Sequence, residues 1–189
     1  MRILVVDDEV LIRMELQDLL TSKGHEVVAL ARDGVEAIEQ CQALRPDVVL
    51  MDIQMPKLTG IEAAKQMRHA QLAPVVLLTA YQEEELVTKA WESGVFGYLL
   101  KPVKEEQVVP ALLMAVARFK DEQQLREEKK VLETTLEERK WIARATSILG
   151  AQKGISEEES YQRIRSYAMK KGMKVLAVCK AIVKESEKS

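Results

Sequence analysis

The sequence predicts an α/β fold, a doubly wound parallel sheet of five strands, followed by a linker helix and a small all-α unit of three helices. Three observations lead there. Short apolar runs alternate with amphipathic stretches through residues 1–118. Three of those runs are unbroken Val, Leu and Ile, as strands covered on both faces require. After Phe119 the texture changes to charged, helix-favouring sequence.

Taken in order, strands are expected at 3–7, 26–30, 47–52, 74–79 and 97–101, with helices at about 9–22, 34–44, 58–69, 83–93 and 104–119. Gly24 follows the first helix as a left-handed cap would, and Asp33 with Glu36 makes a capping-box pattern at the start of the second. Residues 120–140 hold no Gly or Pro, and Leu125, Leu132 and Leu136 form a stripe that suits either a short coiled coil or a solvated connecting helix. Trp141, Ile142, Ala145, Ile148 and Leu149 continue that helix to the Gly150–Gly154 region. Ser156 and Glu159 form a capping box opening a helix with an apolar face of Tyr161, Ile164, Tyr167 and Ala168. Gly172 ends it, and Val175 to Val183 form the last helix. The expected organisation is 1–118, a linker helix at 119–140, and a three-helix domain over 135–184. That last unit is small for independent stability, so docking or dimerisation through the linker is expected.

Composition narrows the function. An apolar fraction of 47% is enough for a packed core. Cys41 and Cys179 stand far apart without a CxxC or Cys/His cluster, which argues against a zinc site or a disulfide framework. The apolar start Ile3–Val6 is too short for a signal peptide, and no run approaches the ~18 apolar residues of a membrane span. A cytoplasmic protein with no membrane partner is expected. The net charge of −2 conceals an asymmetry. Residues 1–120 carry 13 Lys/Arg against 18 Asp/Glu, whereas 140–184 carry 10 against 3. An acidic front and a basic rear call for different partners, with a polyanion a candidate for the rear.

The chemistry-bearing residues sit at strand ends. Asp7 and Asp8 close the first strand and Asp52 the third, neighbours in a βαβ arrangement, and ligands of open α/β sheets gather at the carboxyl ends of strands. Three carboxylates there repel one another unless a cation intervenes, and such hard oxygens suit Mg²⁺. Thr79 ends the fourth strand with a hydroxyl, and Lys101 ends the fifth with an ammonium. A phosphoryl group on Asp52 needs cation, Lys and hydroxyl together. Lys101-Pro102 is a candidate cis peptide that would turn the Lys inward.

These residues, namely Asp7-Asp8, the Asp52 in Leu50-Met-Asp-Ile-Gln-Met-Pro56, Thr79-Ala80, and Gly97-Tyr98-Leu-Leu-Lys101-Pro102, resemble the bacterial receiver family in order and spacing over about 1–118. The resemblance implies a flavodoxin-like sheet and phosphoryl transfer from a sensor histidine kinase to Asp52. It further implies Mg²⁺ held by Asp8, Asp52 and the backbone carbonyl of Gln54, with Asp7 acting through a metal-bound water. Lys101 would contact the phosphoryl oxygens, Thr79 would move toward them, and Tyr98 would turn inward as the switch aromatic. A chain of this kind is a phosphorylated regulator rather than an enzyme.

In the rear, Arg139, Lys140, Arg144, Arg163, Arg165, Lys170, Lys171 and Lys174 are available phosphate contacts. Charge alone leaves three outputs open: RNA binding, duplex-DNA binding by a helix-turn-helix-like unit, and protein-only dimerisation. Leu136-Glu-Glu-Arg139, Ile142, Arg144-Ala145, Ile148-Leu149, the Gly154–Tyr161 turn and cap, Ile164-Arg165, Ala168-Met169 and Lys174 resemble the ANTAR family of antitermination modules. The departures are Thr146-Ser147, Gly150, and Met173 and Val175 around Lys174. This resemblance implies transcription antitermination by binding RNA hairpins in a nascent transcript, read at exposed loop bases and backbone. The RNA contacts are expected among Arg139, Lys140, Arg144, Arg165, Lys170, Lys171 and Lys174, with homodimerisation on phosphorylation.

Overall fold

Five parallel strands form one sheet in the computed structural model, which describes residues 1–80 and 95–187. They are β1 Arg2–Val6, β2 Glu26–Ala31, β3 Val48–Asp52, β4 Val75–Thr79 and β5 Gly97–Leu100, ordered β2-β1-β3-β4-β5. Each lies within about a residue of its expected bounds, the scatter usual for element ends. The unbroken apolar runs are the middle strands: β3 and β4 are buried at every position, whereas the edge strands β2 and β5 are partly exposed. Alternation sends successive side chains to opposite faces. On one face Leu4, Val6, Val49, Met51 and Leu77 pack with residues of α2 (Gly34–Leu44) and α3 (Gly60–His69). On the other, Ile3, Val5, Leu50, Val76 and Leu78 pack with α1 (Val10–Ser22) and the beginning of α4 (Glu105–Lys153). The helix expected at 83–93 lies outside the described residues.

Local signals mostly work as read. Gly24 takes a φ of +78° after α1. Asp33 caps α2 by accepting from the Val35 and Glu36 amides, but the Glu36 carboxylate reaches back to the Arg32 amide, so the reciprocal half of that box closes one residue early. The stretches expected at 104–119, 120–140 and 141–149 are one uninterrupted helix of 49 residues, α4. No Gly stands before Gly150 to stop it, and Pro110, near its start, removes one backbone donor without ending it.

The chain divides into two compact units, Met1–Gln123 and Gln124–Ser189. In the second, the end of α4 packs with α5 (Glu157–Lys171) and α6 (Val175–Ser186). Ser156 and Glu159 form the expected capping box, and Gly154 and Gly172 adopt left-handed conformations that end the preceding helices. The core is Ala145, Ile164, Ala168, Val178, Cys179 and Val183, edged by Trp141, Ile148 and Leu149. Tyr167 departs from the expected apolar face and is 52% exposed. Ser160, Ile164 and Ala168, spaced four apart, occupy the inward stripe and leave the residue before Ala168 outside it. Both cysteines are free and buried. Among the described residues, no helix is long and apolar enough to cross a membrane.

So small a core makes each member matter. Ile164→Ala is expected to cost about 2–5 kcal/mol, a large part of what a unit this size can hold. Urea unfolding followed through Trp141 in a Trp91→Phe background should show the loss; an unshifted midpoint would mean that Ile164 does not anchor this core.

Candidate functional site

The sheet brings four strand ends together. Val6 pairs with Met51, Asp52 with Leu78, and Thr79 with Leu100, so the residues that finish β1, β3, β4 and β5 meet along one edge. At that edge lie Asp7, fully buried, and Asp52, 7% exposed. The Lys101 ammonium stands between them, 2.8 Å from Asp7 Oδ2 and 2.6 Å from Asp52 Oδ1. The remaining carboxylate oxygens accept main-chain amides: Glu9 donates to Asp7 Oδ1 at 3.0 Å and Gln54 to Asp52 Oδ2 at 2.8 Å. The Arg13 guanidinium donates to the Asp7 carbonyl. Lys101 is placed from behind by its amide, which donates to the Thr79 carbonyl at 2.7 Å, and its bond to Pro102 is cis, as expected.

One cation serving two buried carboxylates leaves a deficit of positive charge. Burial pushes the Asp52 carboxyl above its ordinary value of 3.8; Lys101 pulls it back, and the Asp7 charge adds to the push. Burial pulls the Lys101 ammonium down, but its hydrogen bonds to Asp52 and Asp7 and their charges more than offset that and hold it above its ordinary 10.5.

Of the other expected residues, Thr79 is buried at the end of β4, Asp8 is exposed beside Asp7, and Gln54 is exposed just beyond Asp52. The convergence is therefore of two carboxylates rather than three. Tyr98 is 45% exposed on β5, not turned inward. Among the described residues, no set of three or more His, Cys, Asp or Glu side chains forms a metal-ligating group. The donor set still fits a hard divalent cation, because Mg²⁺ takes one or two carboxylates plus carbonyl and water oxygens rather than an all-protein cage. Burial is the first cause of the raised Asp52 carboxyl and the Asp7 charge adds to it, so a divalent cation held there would act against both.

Sequence reasoning missed the device that holds the loop after Asp52. Lys57 adopts a left-handed conformation, φ +65°, and its ammonium reaches the buried Asp33 carboxylate at 2.6 Å. Gly60, the first residue of α3, lies so close to β3 that a Cβ there would fall 2.0 Å from the Asp52 carbonyl oxygen. Thr59 and Glu62 complete a capping box on the same turn. The Thr-x-x-Glu spacing was a legible signal; the Lys57–Asp33 contact, 24 residues apart, was not.

In the second unit the named basic residues Arg139, Lys140, Arg144, Arg165, Lys170, Lys171 and Lys174 are all exposed. Two already have partners: Lys140 pairs with Glu137 at 3.2 Å, and Arg144 pairs with Glu187 at 3.1 Å while lying over the Trp141 ring. Lys180 lies 5.6 Å from the same ring, so Trp141 already has cationic neighbours.

Fold and site together define a doubly wound α/β domain with a buried Asp–Lys–Asp cluster at its strand ends and a separate helical unit, and comparison with known proteins bears on both parts. The family model for the response regulator receiver domain matches residues 3–113 and that for the ANTAR domain matches 130–183. The transcriptional regulatory protein PdtaR of Mycobacterium tuberculosis is 39% identical over 168 residues, covering 89% of this chain and 82% of that protein. Chemotaxis protein CheY of Thermotoga maritima is 38% identical over 112 residues, 59% of this chain and 93% of its own. Among solved structures, the receiver domain of the response regulator NarL from Mycobacterium tuberculosis superposes with a TM-score of 0.59 at 35% identity, covering 61% of this chain and 95% of that one. The CheX–CheY–BeF3–Mg complex of Borrelia burgdorferi gives 0.55 at 30%, covering 59% and 86%. The chain belongs to the response regulators, with a receiver domain followed by an ANTAR output domain, a regulatory rather than an enzymatic family.

Asp33 is held below its ordinary 3.8, first by the Glu36 amide and then by Lys57. A depressed carboxyl contributes stability that is fully present above its ordinary value and is lost as pH falls through the depressed one. Asp33→Asn keeps a cap acceptor but loses the charge. It should cost about 1–2 kcal/mol at pH 7, reduced by the exposure of Lys57, and the gap to wild type should be narrower at pH 3 than at pH 7. Urea unfolding at both pH values measures it; a gap that does not change with pH would remove the ionic contribution.

Proposed function

We propose that Asp52 accepts a phosphoryl group from a sensor histidine kinase and that the phosphorylated chain controls transcription antitermination by binding RNA hairpins through its ANTAR domain. The observation that carries this reading is the Asp7–Lys101–Asp52 contact at adjoining strand ends, a buried carboxylate with a fixed ammonium beside it.

The chemistry follows from those groups. An Asp52 carboxylate oxygen attacks phosphorus, the P–N bond to the kinase imidazole breaks with its electron pair going to nitrogen, and that nitrogen takes a proton from solvent. Lys101 lies where it can contact the phosphoryl oxygens once they sit on Asp52. Asp8, Asp52 and the Gln54 carbonyl would hold Mg²⁺, with Asp7 reaching it through water. That ion supplies the charge that lets an anionic carboxylate approach an anionic donor. The new charge favours an arrangement in which Thr79 moves toward the phosphoryl oxygens and Tyr98 leaves its exposed position for the interior. Water later cleaves the acyl phosphate, returning the Asp52 carboxylate and inorganic phosphate.

The working division is a receiver over 1–118, a linker helix over 119–140 and an RNA-binding domain over 135–184, in a cytoplasmic protein. Exposed Leu125, Val131, Leu132 and Leu136 on α4 support dimerisation through the linker when Asp52 is phosphorylated, because an uncovered apolar stripe on a helix is the surface a second helix covers. Arg139, Lys140, Arg144, Arg165, Lys170, Lys171 and Lys174 supply the phosphate contacts.

With a small acyl phosphate donor and Mg²⁺, wild-type protein should incorporate phosphate and Asp52→Asn should incorporate none while keeping its fold by circular dichroism; equal labelling of both would exclude Asp52. The phosphorylated chain should bind an RNA hairpin more tightly than duplex DNA at the same salt, because non-specific charge attraction alone gives salt-sensitive binding to either. Stronger binding to a defined DNA duplex would overturn the antitermination reading.

A further inference from the structure

The second unit carries an open groove of about 440 Å³ between the end of α4, α5 and α6. Ile164 and Val178 form its buried floor, and Leu149, Ile182, Tyr167 and Met173 line the rest. Its size and apolar lining are those of a small-ligand site. Two of its lining residues, Tyr167 and Met173, are about half exposed, an aromatic and a soft thioether presented to solvent rather than packed away.

Charge decides what suits it. Lys153 and Arg163 also line the groove, against one carboxylate, Glu185, and among the described residues neither cation forms an ion pair. Arg163, Tyr167 and Lys170 are spaced four and three apart on α5, hence on one face of that helix. Lys171 follows, and Lys174 stands at the first end of α6 without a side-chain capping bond. An apolar trough beside a row of cations complements a ligand with a flat apolar body on an anionic chain. A second copy of this unit fits poorly: residues 140–184 carry 10 Lys/Arg against 3 Asp/Glu, so two such surfaces repel. Duplex DNA fits poorly as well, since its bases are stacked inside, whereas loop bases of an RNA hairpin can be splayed out.

We propose that this groove receives one unstacked loop base of an RNA hairpin, which stacks on Tyr167 against the Ile164–Val178 floor, while Arg163 and Lys153 hold the flanking phosphates. The inference rests on the RNA-binding reading above and deepens it by naming the surface that meets the base. Neither Tyr167, Arg163 nor Lys153 is among the phosphate contacts assigned there. Base stacking on an aromatic tolerates any base, so the groove contributes affinity for an exposed loop, and sequence is read elsewhere.

The test uses the full chain, phosphorylated with a small acyl phosphate donor and Mg²⁺, and a pool of RNA hairpins with randomised loops, from which the phosphorylated wild-type protein selects a binder that is then remade with 4-thiouridine in its loop. Ultraviolet cross-linking to the wild-type protein followed by peptide mass spectrometry should place the adduct on the peptide holding Tyr167 or Met173. Tyr167→Ala should weaken binding about tenfold or more and Tyr167→Phe by no more than about twofold, because the ring rather than the hydroxyl does the stacking. Arg163→Ala should weaken all hairpins alike and lower the salt slope by about one phosphate contact. Adducts confined to other peptides, or wild-type affinity in Tyr167→Ala, would overturn the groove while leaving RNA binding intact. A Tyr167→Ala change that alters only the mass seen in light scattering would also overturn it, by making the groove a contact between copies. Failure of the wild-type protein to retain any hairpin would sink both readings together, and the cross-link needs no variant, so a misfolded mutant leaves the question decided.

Discussion

The receiver unit is organised around one ammonium between two carboxylates. Parallel strands of similar length, ordered with β1 beside β3, bring Asp7 and Asp52 to the same edge whatever else the sequence does. Two buried carboxylates at that separation repel strongly in a medium of reduced dielectric. Lys101 is the cation that makes the arrangement tolerable, yet one positive charge does not balance two negative ones, and burial, with the Asp7 charge added to it, keeps Asp52 above the ordinary carboxylate range. Buried ionic groups of this kind are weak contributors to stability and are better understood as sites kept for what they bind. The pocket is short of positive charge where the proposed chemistry would place a divalent ion.

The surroundings keep that edge in register. Gly60 allows α3 to begin almost in contact with the Asp52 carbonyl, so the turn after β3 cannot relax away from the site. The Lys57–Asp33 pair fastens the same turn to the start of α2, and Asp33 also caps that helix. One buried carboxylate thus fixes a helix end and a loop together, across 24 residues of sequence. Gly60 meets the Asp52 backbone and the Lys57–Asp33 pair does not touch Asp52, but both act on the segment whose carbonyl at Gln54 is proposed to face the metal.

How much of this was legible follows from range. Unbroken apolar runs located β1, β3 and β4 because burial on two faces leaves no room for polar alternation, regular spacing of shorter apolar runs located the partly exposed edges β2 and β5, and Gly24, Ser156 and Gly172 marked helix ends through strictly local chemistry. Asp7, Asp52 and Lys101 were readable as a group because strand order in a βαβ sheet dictates which strand ends are neighbours. What escaped was pairwise and distant or depended on rotation about a helix axis. Lys57 needed a left-handed backbone that no Gly announces, and its partner Asp33 lies 24 residues away in the chain. Tyr167 failed for a rotational reason: at a residue adjacent to Ala168 either could fill the inward stripe, and the smaller one does.

That small misreading of Tyr167 bears on how the output could work. A phosphoryl switch supplies only its differential interaction with two states, typically about 1–3 kcal/mol, or 5- to 150-fold in an equilibrium. A single stacked base with a few phosphate contacts is likewise a modest interaction. Neither is decisive alone, but the two multiply if phosphorylation pairs chains through the exposed Leu stripe of α4, because two modest RNA contacts held together bind far more tightly than either. On this view the linker leucines stay uncovered in the single chain for a physical reason: apolar area left exposed in one state is what makes the other state accessible to so small a driving force.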